Sequence, residues 1–106
     1  MQFLTLEQIK KQLRLDADDI EEDQELTLYG SAAELAVQNH LNRHLYKDRV
    51  PDDDSNGLLV TENILMAMLL MVGQLYENRE ATSERTIKQV PLAYSYLLER
   101  YRIIPV

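Results

Sequence analysis

Ten consecutive positions, Ile64 to Gly73, carry no polar side chain. The chain then turns abruptly polar: Gln74, Tyr76, Glu77, Asn78, Arg79 and Glu80 follow with only Leu75 between them. A helix packed on one core needs an apolar stripe, whereas a helix apolar all round wants cover on every side. The pattern predicts a helix from about Glu62 to Arg79. In so short a chain, part of its cover is expected from another molecule.

Three further helices follow from the patterning. Thr5 with Gln8 three positions on is a capping box. Leu6, Ile9 and Leu13 then recur at helical spacing, and Lys10, Lys11 and Arg14 place positive charge at the C-terminal end, the favourable sign for the helix dipole. After an acidic run, Leu26, Tyr29, Ala33, Ala36, Val37, His40 and Leu41 hold a 3.6-residue period. They predict one long helix from about Ile20 to Leu45, roughly 40 Å at 1.5 Å per residue. Asp19 and Glu22 suit its start, and Gly30 marks a place where it could bend. Ala32, Ala33 and Ala36 permit close approach of a neighbouring helix. Pro91 suits the first turn of a last helix, whose apolar face is Tyr94, Leu97, Leu98 and Tyr101. Ile103, Ile104 and Val106 leave an apolar tail around Pro105.

Two loops connect these elements. Residues 46–61 contain Pro51, three aspartates and Asn56-Gly57, all turn chemistry, and Val50 with Leu58 to Val60 is a candidate brief hairpin. Residues 80–90 form the second. Loops of this length usually carry function or are ordered by a partner. The fold class is therefore all-α: a small bundle of about four helices, one short, two long and one short, in one domain spanning residues 1–106.

Composition narrows the function. The chain of 106 residues is 45% hydrophobic and 27% charged, with a formal net charge of −7. Non-specific binding to nucleic acid needs Lys and Arg on phosphates, and here no Lys or Arg occurs between Arg14 and Arg43. The absence of cysteine removes disulfides, thiolate zinc sites and a cysteine nucleophile. The start MQFLTLEQ lacks the basic and apolar regions of a signal peptide. The apolar run is about half the ~20 residues of a membrane span. An intracellular, soluble protein without membrane contact is expected.

Candidate chemistry is thin. Asp52, Asp54, Asn56, Gly57 and Leu59 match the first half of a calcium loop, but position 12 is Asn63 where a bidentate Glu is needed. Pro51 also disfavours a helix running straight into that loop. An ordinary Asp-Asn-Gly turn is the favoured reading, so no metal is assigned. Asp16 and Asp18 fail the template sooner, because Ile20 stands at position 5. His40 and His44 have the i, i+4 spacing of zinc ligands, but two ligands do not make a site. There is no nucleophile elbow and no phosphate-cradling glycine loop. No catalytic residue and no cofactor is assigned, and an enzyme is not expected. Met66, Met68 and Met71 cluster on the third helix, where methionine suits both a core and an adaptable contact.

Three blocks, LTLEQIKKQLRLDADD near the start, LYENREA at 75–81 and VPLAYSYLLERYRII at 90–104, together resemble the head–tail connector family of tailed bacteriophages, small adaptors that dock under the portal. Leu13, Arg14, Asp16 and Asp19 match the first block of that family. Tyr76, Asn78, Arg79 and Glu80 match the central one, and Pro91, Leu97, Leu98, Tyr101 and Arg102 the last. The resemblance implies a structural subunit of the virion, assembled in the bacterial host cytoplasm. It implies a homo-oligomeric ring of about twelve copies closed by rotation, which extends the DNA channel and joins head to tail. Its partners would be the portal protein, a tail-side completion protein and double-stranded DNA that passes without specific binding. Met66, Leu70, Tyr76, Arg79 and Glu80 are the candidate oligomer interface. The alternative is a helical interaction adaptor that dimerises through the third helix.

Overall fold

The structure is a computed structural model that describes residues 1–78 and 92–103. Helix α1 (Leu6–Leu13), helix α2 (Asp23–Leu41), strand β1 (Leu45–Tyr46), strand β2 (Leu58–Leu59), helix α3 (Glu62–Asn78) and helix α4 (Leu92–Leu98) follow in chain order. A 3₁₀ turn, Glu99–Tyr101, extends α4. The all-α bundle is present, with four helices among the described residues. The loop expected at 80–90, together with Arg79, Glu80, Pro91, Ile104 and Val106, lies outside them.

Helix α1 forms as its capping box dictates. The Gln8 amide donates to Thr5 Oγ1 at 3.2 Å, and the Thr5 amide donates to Gln8 Oε1 at 2.9 Å. Arg14 closes the helix in the left-handed conformation, φ 60°.

Helix α2 is shorter at both ends than the expected 20–45. Asp19 does not start it; its Oδ1 accepts the Glu21 amide in a turn, and Ile20 is exposed. The helix begins only at Asp23, where Lys10 intervenes. This lysine is only 6% exposed. Its Nζ donates to the carbonyls of Asp19 (2.8 Å) and Ala17 (3.3 Å) and lies 2.8 Å from Asp23 Oδ1. One ammonium thus ties α1 to the turn preceding α2. At the other end Asn42 adopts φ 56°, and the Arg43 amide returns to the Gln38 carbonyl. That left-handed cap satisfies end carbonyls and frees Leu45 to enter a strand.

The expected hairpin at Val50 is replaced by a two-residue parallel bridge, Leu45 with Leu58 and Tyr46 with Leu59. Residues 47–57 make the crossover that parallel strands require. Gly57 is needed there: a Cβ on it would lie 2.7 Å from Val50 Cγ1 and 2.8 Å from Tyr46 Cε2. Gly30 is buried inside α2 beneath Met1 and Ile9.

The core joins Ile9, Leu26, Val37, Leu41, Ile64, Met68, Val72 and Leu98, all fully buried. Helix α3 packs against α2, α4 and α1, which explains most of its apolar surface. The molecule measures 41 × 33 × 18 Å. Even so packed, α3 leaves Met66 45% exposed among the described residues.

Candidate assembly surface

Helix α3 buries Ile64, Ala67, Met68 and Val72. At about 100° per residue, the opposite side carries Asn63, Met66, Leu70, Gly73 and Glu77. Met66 is 45% exposed, Leu70 is half-buried, and Asn63 and Glu77 are exposed. Among the described residues, no atom of another element lies within 4 Å of where a Gly73 Cβ would stand. The two halves of the apolar cylinder thus differ: one is this chain's own core, and the other is an apolar strip with polar ends.

A groove flanks each end of the strip. Towards the C-terminus of α3, Leu70, Gly73 and Glu77 face Gln12 and Leu13 of α1. Towards its N-terminus, Asn63 faces Tyr96 and Leu97 of α4 and Arg100 of the 3₁₀ turn. Tyr96 is 83% exposed while Tyr94, two residues earlier, is buried. Burial pushes the Tyr94 phenol up to about 12.

Met66 and Leu70, both expected at an interface, are brought together on this strip. Tyr76 lies about 120° round the helix from Leu70 and packs, half-buried, against the chain's own core. Arg79 and Glu80 lie outside the described residues.

A second apolar strip was not foreseen. On α2, Leu28 and Leu35 are 66% and 58% exposed, with the exposed small residues Ser31 and Ala32 between them. The signal was present in the sequence: Leu28, Ala32 and Leu35 form their own i, i+4, i+7 series, out of step with the core series through Leu26 and Ala33.

Two polar clamps hold these surfaces in place. Glu34, 5% exposed on the inner side of α2, accepts three amides: Gln2 on Oε1 (2.9 Å), and Phe3 and Leu4 on Oε2 (2.9 and 2.8 Å). Arg43 donates to the carbonyls of Asn56 (2.7 Å), Gly57 (3.2 Å) and Tyr101 (3.2 Å). Beside it, the Ile103 amide donates to the Leu41 carbonyl at 2.9 Å. Together they fix the crossover loop and the C-terminal segment to the end of α2.

Of the residues weighed for metal, Asp54 has other partners. Asp54 Oδ2 accepts the Tyr46 hydroxyl at 2.6 Å, and its Oδ1 accepts the Asn56 amide at 3.2 Å. The Tyr46 bond is the main cause that holds the Asp54 carboxyl below its usual range, and it raises the Tyr46 phenol. Asp52 is fully exposed near Arg49, 3.9 Å away. His40 presents its ring to the Tyr94 ring at 5.4 Å with an interplanar angle of 69°, while His44 is exposed. Among the described residues no group of three His, Cys, Asp or Glu is placed to hold a metal ion, and no helix is long and apolar enough to cross a membrane.

The described surface thus presents two apolar strips, one on α3 and one on α2. Comparison with curated proteins finds no match, and comparison with solved structures finds none. A family model does match, that of the phage gp6-like head-tail connector protein, over residues 3–102. With nearly its whole length inside that match and a helical bundle presenting apolar strips as its main surface feature, the chain belongs to the phage gp6-like head-tail connector family, whose role is structural.

Proposed function

We propose that this chain is one connector domain, residues 1–106, and the repeating subunit of a ring seated beneath the portal. The ring closes by rotation with about twelve copies, extends the DNA channel and joins head to tail. Its neighbours in the virion are the portal protein and a tail-side completion protein, and it assembles in the host cytoplasm. The observation that carries this reading is the outward strip of α3. Among the described residues Met66 stands 45% exposed, on a helix with no polar side chain from Ile64 to Gly73. Met66 and Leu70 pack against a neighbour, Arg79 and Glu80 extend that contact at the polar end, and Tyr76 supports it from the flank. The net charge of −7 suits a conduit, since like charge keeps DNA from adhering to the wall.

The same strip favours one other reading, an adaptor that dimerises through α3. Light scattering across concentration separates the two, followed by electron microscopy after the portal protein is added. A ring, alone or on the portal, supports the connector subunit; a strict dimer at every concentration and with portal supports the adaptor. Met66→Asp should abolish the ring and leave the helical content unchanged.

A further inference from the structure

A rotationally closed ring needs two different faces on every subunit, one to receive the other. The strip on α3 is one, and the α2 strip is chemically suited to be its mate. We propose that Leu28 and Leu35 of α2 seat the α3–α4 face of a second copy of this chain, with Met66 and Tyr96 against the leucines and Arg100 and Arg102 against the acidic turns that precede α2. The proposal rests on the ring reading and adds which faces meet.

Two observations commit the surface to a second copy. Both faces are apolar at the centre and open among the described residues: Leu28 and Leu35 on one, Met66 and Tyr96 on the other are the exposed large apolar side chains of their helices. Ser31 and Ala32 keep the α2 surface low between its leucines, which lets a tyrosine ring approach. The charges at the rims are also opposite. N-terminal to Leu28 the exposed acids Asp16, Asp18 and Glu21 follow one another, in a segment without Lys or Arg from Arg14 to Arg43. C-terminal to Tyr96 stand the exposed Arg100 and Arg102; Arg100 lies 5.9 Å over its own Tyr101 ring and has no carboxylate within ion-pair distance among the described residues. A basic rim and an acidic rim around apolar centres fix both the partner and the register.

The chain has no cysteine, so single thiols report these faces directly. Leu35→Cys and Tyr96→Cys are made separately in the full chain and treated with a short bismaleimide, alone and mixed, under the conditions in which the unmodified chain assembles by light scattering. The mixture should give cross-linked dimer at least about tenfold above either variant alone, because paired faces raise the effective thiol concentration. The double variant should give a ladder. Adding Arg100→Glu to the Tyr96→Cys subunit should lower that yield, and Glu21→Arg on its Leu35→Cys partner should restore it. Efficient dimers from either single variant alone would overturn the proposal in favour of like faces meeting. No excess in the mixture, while the unmodified chain assembles, would overturn the face assignment and leave the ring. An unmodified chain that stays monomeric even with portal would overturn the ring and the face assignment together.

Discussion

Glu34 holds Leu4: its Oε2 accepts the Leu4 amide at 2.8 Å and the Phe3 amide at 2.9 Å, while Oε1 takes the Gln2 amide. A carboxylate on the inner side of α2 thereby acts as the terminus of the chain's first strap, and the strap buries Phe3 and Leu4 in the core. Glu34→Ala would leave buried amides without an acceptor, at about 1–3 kcal/mol for an orphaned buried group. Thermal unfolding should show that loss, and hydrogen exchange should show faster exchange at Phe3 and Leu4. Glu34→Gln retains one carbonyl oxygen and should lose less. Equal, negligible losses from both would show that the strap does not depend on this carboxylate.

Lys10 is the second buried polar anchor. Lys10→Met keeps the aliphatic stem but removes the donor to Ala17 and Asp19 and the charge facing Asp23. Asp23 is 29% exposed, so solvent softens the loss, and a destabilisation of about 2 kcal/mol is predicted, within the range for charged hydrogen bonds. Circular dichroism during urea unfolding should record it as a lower midpoint with unchanged slope.

These two anchors mark where the sequence was legible and where it was not. The α1 capping box, the apolar α3 and the Tyr94–Leu98 face of α4 were readable because each is a local spacing rule. The start of α2 was misplaced because Lys10, thirteen residues earlier, competes for the turn carbonyls that helix periodicity would have absorbed. Its end was misplaced because Asn42 takes a left-handed cap, a choice that Asn permits but does not dictate. Glu34 looked like any surface glutamate, since its partners are backbone amides thirty residues away. The parallel pairing of Leu45 with Leu58 depends on Gly57 closing against Val50 and Tyr46, a contact no local pattern encodes. The outward apolar strip of α3 was legible from the unbroken apolar run, whereas the exposure of Leu28 and Leu35 was hidden beside a stronger core series.

Gly73 gives a prediction that separates subunit stability from assembly. Glycine inside a helix costs up to about 1 kcal/mol relative to alanine, and among the described residues no atom of another element lies within 4 Å of an added Cβ. Gly73→Ala should therefore raise the subunit's melting temperature by several degrees. If the strip packs closely against a neighbour at this position, the same change should weaken self-association. A lowered melting temperature would mean that the space beside Gly73 is not free.

Tyr94 predicts a response to alkali. Its phenol is raised by burial to about 12, above the ordinary value near 10. The folded state therefore disfavours the phenolate, so the stability that depends on neutral Tyr94 is complete below about pH 10 and is lost as pH rises towards 12. Chemical unfolding midpoints measured from pH 8 to pH 11.5 should fall at the alkaline end, and Tyr94→Phe should flatten that fall. An identical alkaline fall in both proteins would assign the effect to other groups.

The most direct test of the central claim is the mass of the assembly formed by the full chain with the proposed portal partner, measured by light scattering for the wild type and for Met66→Asp. The connector account predicts a ring-sized complex for the wild type and a folded monomer, with unchanged helical circular dichroism, for Met66→Asp. A wild-type chain that stays monomeric or strictly dimeric with portal present, or a Met66→Asp chain that still completes the ring, would contradict it.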